Sequence, residues 1–218
     1  MAGWGKALAV AAAVSSGTAA GAQEVVIAAL GDSLTQGYGL PQEDGLVPQL
    51  ERWLQARGHD VRLINAGVSG DTTAGGLARV GWTMGEDVDA MIVALGGNDM
   101  LRGIAPEVSR ANLDGILQAA DAADVEVLLV GLRAFNNFGP QYQTAFDTIF
   151  PDLAGDYGTL YIGNFLSAIT GPDATGQDRL LLDYLQSDGL HPNAAGVARI
   201  VEAIGPTVEA LIARVPQP

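Results

Sequence analysis

The sequence has no cysteine and only two histidines among its 218 residues. The first absence excludes a disulfide and a lipid-modified cysteine anchor, and it is compatible with an oxidising compartment. With no thiolate and two histidines far apart in the chain, a zinc site has no support, and neither a metal nor another cofactor is expected. Basic residues are scarce: 11 Lys and Arg stand against 25 Asp and Glu, a formal charge of −14, and no basic run occurs. A surface of that sign is repelled by nucleic acid and by anionic membranes, so neither is an expected partner. No stretch is long and apolar enough to span a bilayer. The phosphate-cradling Gly-x-x-x-x-Gly-Lys-Ser/Thr pattern, the dinucleotide fingerprint and a Gly-x-Ser-x-Gly elbow around Ser33 are all missing. There is no internal repeat and no low-complexity linker.

What is present begins with a leader. Residues 1–6 carry one lysine and no acid, residues 7–14 are an unbroken apolar run, and Ala20-Gly21-Ala22 fits a small-residue cleavage pattern. This reads as a signal peptide cut after Ala22, which makes the mature protein periplasmic or secreted. Residues 23–218 then form one domain of ordinary size with ample apolar content for a core.

The apolar run Val25-Val26-Ile27-Ala28-Ala29-Leu30 predicts a fully buried strand, and Gly31-Asp32-Ser33-Leu34 follows it. Apolar residues at helical spacing predict a helix over 45–57, with Pro48 in its first turn. Short strands are expected at 61–64, 91–95, 125–130 and 160–162. Helices are expected at 74–82, 106–122, 141–157 (broken near Pro151) and 193–214 (broken at Gly205-Pro206). Residues 163–187 carry no regular pattern. Strands alternating with helices imply parallel βαβ units and a three-layer α/β/α sandwich.

In such sheets ligands bind beyond the carboxyl ends of the strands. Ser33 lies there after the first strand, and a serine hydroxyl becomes a nucleophile once a base takes its proton. Gly, Asp and Ser are also ordinary turn residues, so this stretch alone reads equally well as a strand-ending turn. Asp188 and His191 lie three residues apart on the turn that leads into the last helix. An acid beside a histidine fixes the tautomer and leaves the second ring nitrogen free to accept a proton. The other histidine, His59, falls between a helix and a strand at the opposite edge, so His191 is the candidate base. Asn98 after the third strand can donate to a developing oxyanion, and the N–H groups of Gly70 and Ser33 can add two more donors. Each feature alone also reads as turn geometry or capping; four separate loops meeting at one edge point to an active site.

Four blocks carry a family resemblance: Gly31-Asp32-Ser33-Leu34, residues 65–70, Gly96-Gly97-Asn98-Asp99, and Asp188-x-x-His191-Pro192. In these blocks the chain resembles the SGNH (GDSL) hydrolase superfamily. It looks most like the small periplasmic multifunctional arylesterase/acyl-CoA thioesterase/lysophospholipase branch. The resemblance implies a flavodoxin-like fold with a five-stranded parallel sheet of order 2-1-3-4-5. It implies Ser33 as nucleophile, His191 as base, Asp188 as its orienting acid, and an oxyanion hole from Ser33, Gly70 and Asn98. The segments that shape the acyl pocket in this branch correspond to residues 101–106 and 135–142, so Leu101, Ile104, Phe135, Phe138 and Tyr142 are the expected substrate-binding side chains. The expected activity is hydrolysis of small-molecule esters and thioesters by a monomer without stable membrane insertion. A carbohydrate O-deacetylase or acyltransferase with the same triad is the alternative. An acyl-binding protein with a vestigial site is the rival from another class.

Overall fold

The computed structural model describes Met1 and residues 24–134, 137–172 and 178–216. The expected leader, Met1 apart, and Phe135 therefore lie outside the described residues. The central sheet contains β1 (Val25–Gly31), β2 (Val61–Gly67), β3 (Ala90–Ala94), β4 (Glu126–Val130) and β5 (Leu160–Ile162). All pairings are parallel, in the order β2-β1-β3-β4-β5, as the family resemblance implied. Gly31 is level with Gly67 on one side and with Ala94 on the other, so three loops leave the sheet side by side. The strand order reverses at β1, which makes the end of β1 the switch point where such folds bind ligands.

Two apolar layers sandwich the sheet. On one face Ile27, Ala29, Ile92 and Leu128 pack against α2 (Leu46–Gln55) and α8 (Ala194–Ile212). On the other, Leu30, Met91, Val93 and Leu129 pack against α3 (Thr73–Thr83), α5 (Pro106–Asp121) and α7 (Ile149–Tyr157). Side-chain alternation along each strand sends neighbouring residues to opposite layers. That is why β1 and β3 read as unbroken apolar runs.

Three expectations about local structure are corrected. The helical stretch before β5 breaks at Thr148, between α6 (Pro140–Asp147) and α7, and not at Pro151. Pro151 falls in the first turn of α7, where its missing N–H has no intrahelical partner to lose. Helix α8 starts after Asn193, whose side chain accepts from the Gly196 N–H at 3.0 Å, and it runs unbroken through Gly205 and Pro206. An interior proline costs about 3 kcal/mol, and the burial of Val197, Ile200, Val201, Ile204, Val208 and Leu211 along one side of the helix offsets it. The supposedly irregular stretch after β5 holds an antiparallel pair, β6 (Thr170–Pro172) and β7 (Asp178–Leu180). Strands of three residues are too short to leave a period in the sequence.

Gly205 faces the Trp53 ring, and a Cβ there would come within 2.5 Å of it. Gly81 in α3 has nothing within 4 Å of a Cβ. Helix propensity favours alanine over glycine at both sites by up to about 1 kcal/mol, so packing decides the sign. Urea denaturation is expected to show Gly81→Ala neutral to stabilising and Gly205→Ala destabilised by about 1–3 kcal/mol.

Candidate active site

Ser33 is the first residue of a one-turn helix, α1 (Ser33–Gln36), that begins directly after β1. The turn fits because residue 31 has no side chain: a Cβ there would lie 2.0 Å from Thr35 Oγ1. Asp32 caps the turn, its Oδ1 accepting the Leu34 N–H at 3.0 Å. Ser33 Oγ lies 2.9 Å from His191 Nε2, and His191 Nδ1 lies 2.7 Å from Asp188 Oδ2. Residues 158 positions apart are thus joined by one hydrogen bond.

The electrostatics assign the direction of this chain of bonds. Asp188 Oδ1 accepts the N–H groups of Leu190 at 2.9 Å and His191 at 3.0 Å. The Leu190 N–H first, then the His191 ring, hold the Asp188 carboxyl down to about 2. It is therefore ionised and accepts only. His191 Nδ1 must be the donor to it, which leaves Nε2 as the acceptor for the Ser33 hydroxyl. The ring is also braced from outside by Tyr38, with ring centroids 4.7 Å apart. Gln186 ties the two loops together, its Nε2 donating to the carbonyls of Tyr38 at 2.8 Å and Pro192 at 3.0 Å.

Ser33, Gly70, Asn98 and His191 line one cavity of about 500 Å³. Gly70 holds φ at 79°, a conformation that side-chain-bearing residues rarely adopt. Its carbonyl accepts Arg102 Nη2 at 2.7 Å. Arg79 binds the carboxyl ends of the neighbouring strands β1 and β2: Nη2 donates to the Gly31 carbonyl at 2.9 Å, Nη1 to the Ala66 carbonyl at 2.7 Å, and Nε to Asp71 at 2.7 Å. Asn98 stands on α4 (Gly97–Leu101), next to Asp99. Asp99 is fully buried and accepts from Thr73 N–H, Thr73 Oγ1 and Ser109 Oγ at 2.9, 2.5 and 3.0 Å. That network pins α4 to α3 and α5. Among the described residues, no partner is found for the Ser33 or Gly70 N–H.

The expected substrate-binding side chains fare unevenly. Leu101 lines the cavity. Ile104, Phe138 and Tyr142 do not: Tyr142 donates its hydroxyl to the Ile104 carbonyl at 2.9 Å, and Phe138 packs on Tyr142 at 5.2 Å between ring centroids. Further lining comes from Leu132 and Ala134 after β4 and from Leu166, Thr170 and Leu180 after β5. The sequence reading missed these residues. Their signal was position alone, since both segments leave the carboxyl end of a strand. Asp32 was also passed over, read as part of a turn. It is 3% exposed, and burial pushes its carboxyl up to about 6, against the pull of the Leu34 N–H, His191 and Asn98. As for His59, it pairs with Glu209 at 2.9 Å, remote from the cavity.

Residues 29–199 match the GDSL-like lipase/acylhydrolase family. The chain is 37% identical to the esterase TesA of Pseudomonas aeruginosa over 88% of this chain and 91% of that protein. It is 34% identical to thioesterase 1/protease 1/lysophospholipase L1 of Escherichia coli K12, covering 75% of this chain and 74% of the other. Among solved structures, the psychrotrophic esterase EstA of Pseudoalteromonas sp. superposes with a TM-score of 0.77, at 29% identity over 88% of this chain and 100% of that one.

The buried Asp32 has a stability consequence. A carboxyl raised from 3.8 to about 6 binds its proton more tightly in the folded chain, so folding loses stability as pH rises between those values. Asn at this position cannot ionise. The stability of Asp32→Asn relative to wild type is expected to increase by up to about 3 kcal/mol from about pH 4 to pH 7.5. Urea denaturation across that range measures it; a difference independent of pH would contradict the assignment.

Proposed function

The chain belongs to the GDSL-like lipase/acylhydrolase family, and from that membership we propose that it cleaves carboxylic esters and thioesters through an acyl intermediate on Ser33. The observation that carries the reading is the 2.9 Å contact between Ser33 Oγ and His191 Nε2 inside the cavity. As His191 removes the proton, Ser33 Oγ attacks the acyl carbonyl. The oxyanion is met by the N–H groups of Ser33 and Gly70 and by the Asn98 amide, held ready before the charge develops. Asp188 stabilises the imidazolium. His191 then protonates the leaving alcohol or thiol, and water repeats the attack to release the acid and free Ser33.

The cavity supports an acyl group larger than acetyl. An apolar wall is made by Leu101, Leu132, Ala134, Leu166 and Leu180, and the cavity's volume lies in the range of sites that enclose a small organic ligand. An acetylated sugar would leave that wall uncovered, which favours an arylesterase, thioesterase or lysophospholipase activity over a deacetylase. The names of the relatives, an esterase and a thioesterase/lysophospholipase, point the same way. All three triad groups come from one chain, so a monomer suffices. The leader pattern in residues 1–22 supports export to the periplasm or beyond. Among the described residues no helix is long and apolar enough to cross a membrane.

Hydrolysis of p-nitrophenyl esters from acetyl to palmitoyl tests the reading. Wild type is expected to turn over butyryl and longer esters and Ser33→Ala to be inactive. Asn98→Ala is expected to stay folded and lose roughly 100- to 1000-fold in turnover. Silence of wild type on the whole series, or activity of Ser33→Ala, would overturn it.

A further inference from the structure

The mechanism above gives no task to Asp32, although its carboxylate lines the cavity beside the nucleophile. It is almost wholly buried, and among the described residues no basic side chain pairs with it. The charged groups that face it are His191 and Asp71. A buried carboxylate without a cation is costly to keep. Its two oxygens are divided between two donors. Oδ1 accepts the Leu34 N–H at 3.0 Å, and Oδ2 accepts Asn98 Nδ2 at 3.3 Å.

An asparagine amide has two nearly isosteric orientations. In one its nitrogen faces a given point, and in the other its oxygen does. An ionised carboxylate can only accept, so it admits only the first. With one Nδ2 hydrogen held by Asp32, the second remains for the cavity. Resting on the reading of Asn98 as an oxyanion donor, we propose that Asp32 is a positioning residue that fixes the rotation of the Asn98 amide, so that an N–H and not a carbonyl lone pair meets the oxyanion.

The conservative substitution is then the damaging one. In Asp32→Asn the new Oδ1 still caps Leu34, because asparagine is as good an N-cap as aspartate. Its Nδ2 then faces Asn98 and requires an acceptor there, so the Asn98 amide turns and presents oxygen to the reaction centre. A serine at 32 also caps but is too short to reach Asn98, so it leaves the amide free without reversing it. The expected order of turnover is wild type, then Asp32→Ser, then Asp32→Asn, the reverse of side-chain similarity.

The experiment measures kcat and KM on p-nitrophenyl butyrate for these variants, Asn98→Ala, Asp32→Asn/Asn98→Ala and Ser33→Ala, with thermal unfolding as the folding control. Asp32→Asn is expected to lose roughly 100- to 1000-fold in kcat, with KM within about fivefold of wild type. The double variant is expected to be no slower than Asn98→Ala alone, since both changes remove one interaction. Should Asp32→Asn fail to fold, the serine variant carries the test and must lose at least about tenfold in kcat at unchanged KM. Losses that multiply in the double variant, or turnover of Asp32→Asn close to wild type, overturn the proposal. If that happens while Ser33→Ala stays inactive, the hydrolase reading stands without it; an active Ser33→Ala defeats both.

Discussion

The hydrogen bond from Ser33 to His191 connects the first loop of the sheet to the turn before the last helix, and much of the surrounding structure serves to hold its two ends. Ser33 is placed by β1 and by a one-turn helix fitted against the sheet through a bare glycine. His191 is placed from three sides. Asp188 binds both its ring and its backbone N–H, Tyr38 packs on its face, and Gln186 bonds to its backbone and to the Tyr38 loop. The parallel sheet makes this economical, because all five strands end at one edge. Residues far apart in sequence need only short loops to meet there.

Two carboxyls lie near the histidine, and their surroundings push them in opposite directions. Asp188 is partly exposed, accepts three hydrogen bonds and is held at about 2. Asp32 is buried and is raised to about 6. Divergent surroundings of this kind separate the tasks of paired acids. The first bears on the proton path and stays ionised throughout the working range. The second bears on the amide that faces the cavity. Around them a scaffold of guanidinium contacts, with Arg79 on the Gly31 and Ala66 carbonyls and Arg102 on the Gly70 carbonyl, satisfies the backbone groups that the loops leave open. Removing such a partner from a buried acceptor costs about 1–3 kcal/mol, so Arg79, whose two carbonyl contacts are partly buried, is a structural member of the site despite an overall acidic chain.

Much of this was legible in the sequence, for a definite reason. The buried strands are unbroken apolar runs, and the residues with chemistry follow them immediately: Ser33 after β1, Gly70 after β2, Asn98 after β3. Asp188 and His191 are close in sequence, so their pairing could be read from spacing. The wall of the cavity could not be read that way. Leu132 and Leu166 are ordinary apolar residues in loops and Leu180 ends the three-residue β7, and only the folded chain reveals that they line one cavity with Leu101. Phe138 and Tyr142 were expected in the pocket because the family resemblance maps an acyl-pocket segment onto residues 135–142, yet they pack on each other and toward Phe146. The unbroken α8 shows tertiary burial overriding a local breaker. The role of Asp32 was hidden because an N-cap and a positioning carboxylate look identical in sequence.

The central claim is that Ser33 alone bears the acyl group and that His191 activates it. The most direct measurement is intact-protein and peptide mass spectrometry after reaction with an alkyl p-nitrophenyl phosphonate, which leaves a stable adduct on an activated nucleophile. A single adduct located on Ser33, formed at a rate that falls steeply in His191→Ala, is the result expected here. An adduct on another residue, or esterase activity that survives full modification of Ser33, would contradict it.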